Sequence, residues 1–174
     1  MKSNPFKIVD LSHPLSNSTL VYPGDPGINI ARFKSIRLNN TAVSSLTFGS
    51  HSGTHLDAPC HVIENGAGLN QMEPMNYFGV GRCLDVRNRE QITDRDIPAN
   101  IAAGQAVFFR TGHAQYWNSE KYYQTRPCLT TEAADALIKR GVLAVGVDTP
   151  SVDAQGTQKK NNSRKIAGKK HIDF

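Results

Sequence analysis

Three histidines and an aspartate fall within eleven residues, at His51, His55, Asp57 and His61 of the segment Ser50-His51-Ser52-Gly53-Thr54-His55-Leu56-Asp57-Ala58-Pro59-Cys60-His61-Val62. All four sit at odd positions. Extended backbone therefore predicts their side chains on one face, with Leu56, Ala58, Cys60 and Val62 on the other, toward a core. The remaining odd positions, Gly53 and Pro59, would not crowd such a cluster, and both disfavour a helix, so extended or turn geometry is expected. Two imidazoles and a carboxylate suit zinc or manganese and leave coordination positions for water. Water bound to such a dication can ionise near neutral pH and attack a carbonyl carbon. His61 would be the nearby general base and, later, the acid that protonates the leaving nitrogen. A lone histidine on a polar strand is ordinarily structural, but four groups of one parity in so short a run point to a metal or catalytic site.

The elements that must hold this segment follow from periodicity. Lys7-Ile8-Val9-Asp10-Leu11-Ser12 reads as a short strand, running into a loop that ends in the turn Tyr22-Pro23-Gly24-Asp25-Pro26. Segments 28–36 and 42–48 alternate apolar and polar residues and predict two antiparallel strands joined through Asn39-Asn40. Strands are also expected over 80–86 and 105–110, the latter with a buried-looking Ala-Val-Phe-Phe centre, and a short helical turn is expected over 93–97. Thr130 or Thr131 can cap a helix over 132–140 that stops at Gly141, followed by a buried, parallel strand over 143–147. Mixed strands with few helices predict a sheet-rich α/β fold.

Composition narrows the classes of function. With 174 residues, 39% apolar and 20% charged, the chain has room for one soluble domain. It contains no apolar run of membrane-spanning length and no charged-then-apolar leader, so no membrane partner and a cytoplasmic location are expected. Three cysteines, Cys60, Cys83 and Cys128, fit neither a disulfide framework nor a zinc-finger pattern. The formal charge is +5, and residues 158–174 carry six Lys/Arg against one Asp. The rest of the chain is therefore balanced, which argues against a phosphate-neutralising surface and against nucleic acid as a partner. The expected organisation is a domain over 1–157 and a basic, exposed, mobile segment over 158–174.

Four motifs resemble those of the metal-dependent cyclase-like hydrolases that include bacterial kynurenine formamidase and isatin hydrolase. They are Asp10-Leu11-Ser12-His13, Tyr22-Pro23-Gly24-Asp25-Pro26, the His51 to His61 segment, and Gly146-Val147-Asp148-Thr149-Pro150-Ser151-Val152-Asp153. The resemblance implies a swivelling β/β/α domain, a homodimer or larger homo-oligomer, and a small-molecule amide substrate entering beside Tyr22 and Pro23. It implies that His51, His55 and Asp57 bind Zn2+ or Mn2+ and that His61 is the catalytic acid and base. N-formylkynurenine, cleaved to kynurenine and formate, is the substrate it suggests first. An isatin-type cyclic amide is the alternative, as is a catalytically weakened metal-binding member. The chain departs from the family pattern at Tyr22, where kynurenine formamidases usually carry Trp. It departs again at Arg164, which falls where a histidine would serve a second ion, and the sequence reaches Phe174 before a further Glu. Arginine stays protonated and cannot ligate, so one metal ion is expected. Asp148 and Asp153 flank a turn whose chemistry alone accounts for them.

Overall fold

The computed structural model describes residues 7–156 and 161–168. They fall into two compact units, one running through Leu56 and the other starting at Asp57.

In the first unit, β1 (Asn29–Lys34) and β2 (Val43–Thr47) pair antiparallel, with Asn29 opposite Thr47 and Ile30 opposite Leu46. A single helical turn, α1 (Ile36–Asn39), connects them and ends at Asn40, whose φ of 54° lies in the left-handed region that asparagine tolerates. The alternation and the Asn39-Asn40 connection thus fold as the sequence predicts. The Asn17 side chain clasps β1 from the preceding loop, donating to the Ile30 carbonyl at 3.1 Å and accepting from its N–H at 2.6 Å. The strand predicted over Lys7–Ser12 does not form. The Ser12 N–H instead bonds the Asp10 carboxylate at 2.9 Å, a local bond that competes with a ladder, and Ile8 and Leu11 stay exposed.

The second unit is built on three parallel strands in the order β3 (Gly81–Asp85), β5 (Ala106–Arg110), β7 (Ala144–Val147), with β4 (Gln91–Ile92) and β6 (Cys128–Leu129) forming a separate parallel pair. Between β6 and β7 runs α2 (Thr131–Lys139), whose cap is Thr130: its hydroxyl accepts the Ala133 N–H at 3.2 Å. Gly141, at φ 72°, ends the helical path and sends the chain into β7. Val107 and Phe109 point inward against Ile92 and Leu137, all fully buried. The predicted buried centre of β5 needs one correction, because Phe108 lies on the opposite face and is 48% exposed. Its ring covers Gly81 and Gly146 on the neighbouring strands, where a Cβ at either position would run into it.

The predicted mobile segment is corrected over part of its length. Residues Asn161–Ala167 form a helix, α3. The Asp153 carboxylate accepts the N–H groups of Asn162 at 2.8 Å and Ser163 at 3.2 Å, and also the Ser163 hydroxyl. Asn162 is buried and donates to the Leu129 carbonyl at 2.6 Å, while Lys165 pairs with Asp135 on α2. These anchors, not apolar periodicity, order the helix. Residues 157–160 and 169–174 of the same predicted segment lie outside the described residues. The parallel and antiparallel sheets with few helices make this a sheet-rich α/β protein. No helix among the described residues is long and apolar enough to cross a membrane.

Candidate metal centre

The segment from His51 to His61 is not one extended strand. Residues 51–54 turn, with Gly53 at φ 68°; residues 55–58 belong to no helix or strand, Ala58 being extended; and Pro59–His61 forms a 3-10 turn opened by its proline. Of the four side chains predicted to face a core, Ala58 is buried and Val62 half-buried, whereas Leu56 is 49% exposed and Cys60 is also exposed. The parity argument fails at that point because Gly53 and Pro59 bend the chain instead of merely making room.

The bends still gather the donors. Ligand atoms of His51, Asp57 and His61 all lie within 4.8 Å of one another on this continuous stretch of chain. His55, expected as a ligand, is not a member of this group, and His61, expected as the acid and base, is; His55 contacts the group through His51, its Nε2 3.1 Å from His51 Nδ1, with the rings edge-on and their centroids 5.0 Å apart. The Nδ1 of His55 is 2.8 Å from the Gly53 carbonyl. A carbonyl can only accept, so His55 carries its proton on Nδ1 and offers the lone pair at Nε2. Two imidazole nitrogens bound to one tetrahedral ion at about 2.0–2.1 Å stand about 3.3–3.4 Å apart. The His51–His55 separation is close to that, and the imidazole and carboxylate donors suit Zn2+ or Mn2+.

The turn carrying His61 is tightly closed. The Ile63 N–H bonds the Pro59 carbonyl at 2.9 Å, and the Cys60 N–H bonds the Ala67 carbonyl at 3.1 Å. A Cβ at Gly66 would lie 2.8 Å from the Cys60 nitrogen, so only glycine fits where the chain recrosses itself. From α3, Arg164 Nε donates to the Val62 carbonyl at 3.0 Å. Sequence reasoning missed this approach. The available signal was the run Asn161-Asn162-Ser163, residues favoured at helix starts, leading through Arg164-Lys165-Ile166-Ala167 to a glycine stop at Gly168.

Tyr22, Pro23, Asp148 and Asp153, also singled out by sequence, divide as follows. Tyr22 and Pro23 are exposed on a turn closed by the Asp25 N–H to the Tyr22 carbonyl at 3.0 Å, and they are not members of the ligating group. Asp148 ties the loop after β5 to the end of β7. It accepts the Thr111 N–H at 2.9 Å, the Thr111 hydroxyl at 2.5 Å and the Gly112 N–H at 2.9 Å. Asp153 anchors α3, as described above. Tyr116 packs edge-on to His113, and Trp117 and Tyr123 pack edge-on to Tyr122, while burial, then Tyr123 and Asp148, push the Tyr122 hydroxyl up to about 12.

Fold and donor set together define a sheet-rich α/β protein with a histidine-carboxylate cluster of the kind that can hold a metal ion. Residues 9–154 match the Cyclase family model, and the chain belongs to the Cyclase family. Its relatives include the kynurenine formamidase of Bacillus cytotoxicus, 31% identical over 150 residues that cover 83% of this chain and 69% of the relative. The kynurenine formamidase of Bacillus cereus is 29% identical over 147 residues with the same coverage of each chain. Among solved structures, isatin hydrolase A from Ralstonia solanacearum matches with a TM-score of 0.78 and 26% identity, covering 92% of this chain and 74% of that one.

Proposed function

We propose that this chain hydrolyses the amide of a small aromatic substrate, with N-formylkynurenine as the first compound to test. The observation that carries this reading is the grouping of His51, Asp57 and His61 within 4.8 Å, with His55 against His51, in a chain of this family. His51, His55 and Asp57 would hold one Zn2+ or Mn2+. The bound dication would supply Lewis acidity, lowering the pKa of a coordinated water and polarising the substrate carbonyl. The Gly53 carbonyl holds the His55 tautomer, which keeps a lone pair facing the site. Close to the His51 and Asp57 donor atoms, His61 takes a proton as water adds to the amide carbon. It returns the proton to the nitrogen as the C–N bond breaks, giving an acid and an amine.

Ring opening of a cyclic amide such as isatin is a second reading, favoured by the likeness to isatin hydrolase A. Metal analysis by mass spectrometry, paired with turnover of both compounds before and after chelation, tests the assignment. About one ion per chain and chelator-sensitive turnover are expected, and His61→Ala should lower kcat by about 10²–10⁴-fold with metal retained. Metal lost in His61→Ala would make His61 a ligand, metal without turnover would indicate a lapsed enzyme, and absence of metal in the wild type would overturn the site.

A further inference from the structure

The side chain of Arg164, the residue that falls at a ligand position in the family resemblance, donates from Nε to the Val62 carbonyl at 3.0 Å across 102 residues of chain. Val62 follows His61 directly and closes its 3-10 turn, its own N–H bonding the Pro59 carbonyl at 3.2 Å. Gly168, just past α3, lies beside the residue after Val62: a Cβ placed there would stand 3.5 Å from the Ile63 side chain. The other end of α3 is fixed to the body of the unit by the Asp153 cap and by Asn162 bonding the Leu129 carbonyl. The helix therefore joins a buried anchor to the turn that presents His61.

We propose that Arg164 is a positioning residue for His61, acting through the Val62 carbonyl. This rests on the reading of His61 as the proton carrier. The geometry gives the arginine a role that needs its Nε–H and not its charge: the backbone bonds that close the turn join residues 58–67 to one another, and the bond from a capped helix ties that local loop to an anchored element and limits its excursions. Small displacements of a proton-transfer group are costly in rate, because donor and acceptor must approach within hydrogen-bond distance.

The test separates donor from charge. Arg164→Gln places an amide N–H the same number of bonds from Cα as the arginine Nε, whereas Arg164→Met has the length without a donor. Arg164→Met should lower kcat by about tenfold with KM within about twofold, and Arg164→Gln should stay within about threefold of wild type. Lys165→Ala, which cuts the ion pair between the same helix and Asp135, should leave kcat unchanged. Hydrogen exchange followed by mass spectrometry over residues 58–67 gives a readout independent of turnover: exchange should be about tenfold faster in Arg164→Met and near wild type in Arg164→Gln. Equal behaviour of the Met and Gln variants in exchange, or a loss in Lys165→Ala as large as in Arg164→Met, would overturn the proposal. A wild type without amide turnover would sink the proposed reaction, and the exchange comparison would still decide whether Arg164 holds the turn.

Discussion

Through Leu56 the described residues bury Thr19 and Ile28, whereas from Asp57 onward ten buried apolar side chains, from Val86 to Val142, form one cluster. The first unit leaves Phe33, Ile36, Leu38 and Leu46 more than half exposed around a two-stranded hairpin. An isolated hairpin of that kind gains little from burial and is marginal in water, while three strands backed by helices sustain themselves. Backbone bonds and side-chain clasps such as Asn17 on Ile30 therefore define the first unit, and the second is defined by apolar packing. The candidate metal ligands lie on the chain where one kind of construction gives way to the other.

Substitutions can break this contrast. Phe109→Ala empties the centre of the larger core and should cost about 3–5 kcal/mol in denaturant titrations. Asp148→Ala strips the acceptor from two backbone N–H groups and a hydroxyl and should cost about 2 kcal/mol by the same measurement. Thr130→Ala removes the cap of α2 and should cost about 1 kcal/mol, read as a fall in melting temperature. Phe33→Ser, at a side chain 70% exposed, should change stability by less than about 0.5 kcal/mol. A Phe33→Ser loss comparable to that of Asp148→Ala would show that the first unit relies on apolar packing, and the contrast would fall.

The same contrast explains what could be read from sequence. The hairpin was legible because residues 28–36 and 42–48 alternate, and α2 because Thr130, Ala133, Ala134, Leu137 and Gly141 carry cap, stripe and stop in order. β4 and β6 were not, since two residues hold no period. α3 was hidden for a different reason: its order comes from Asp153, a neighbour in space outside the helix, and its composition resembles that of a solvated tail. The strand expected at Lys7–Ser12 had the right residue types, but the local bond from Ser12 to Asp10 prevailed. At the candidate site the residue types were legible and the path was not. Gly53 and Pro59 leave extended and turn geometry both open in the sequence, and they are the bends that bring His51, Asp57 and His61 together.

The ring of Phe108, lying across Gly81 and Gly146, ties three strands into one constraint on sequence change. A methyl group introduced at either glycine meets the ring, so Gly146→Ala alone should be rejected by a selection for folded protein and accepted once Phe108 is shortened. Residues 81, 108 and 146 then vary as a set. A library that samples them one at a time would find both glycines closed to change, and a library that samples them jointly would find a single exchangeable block.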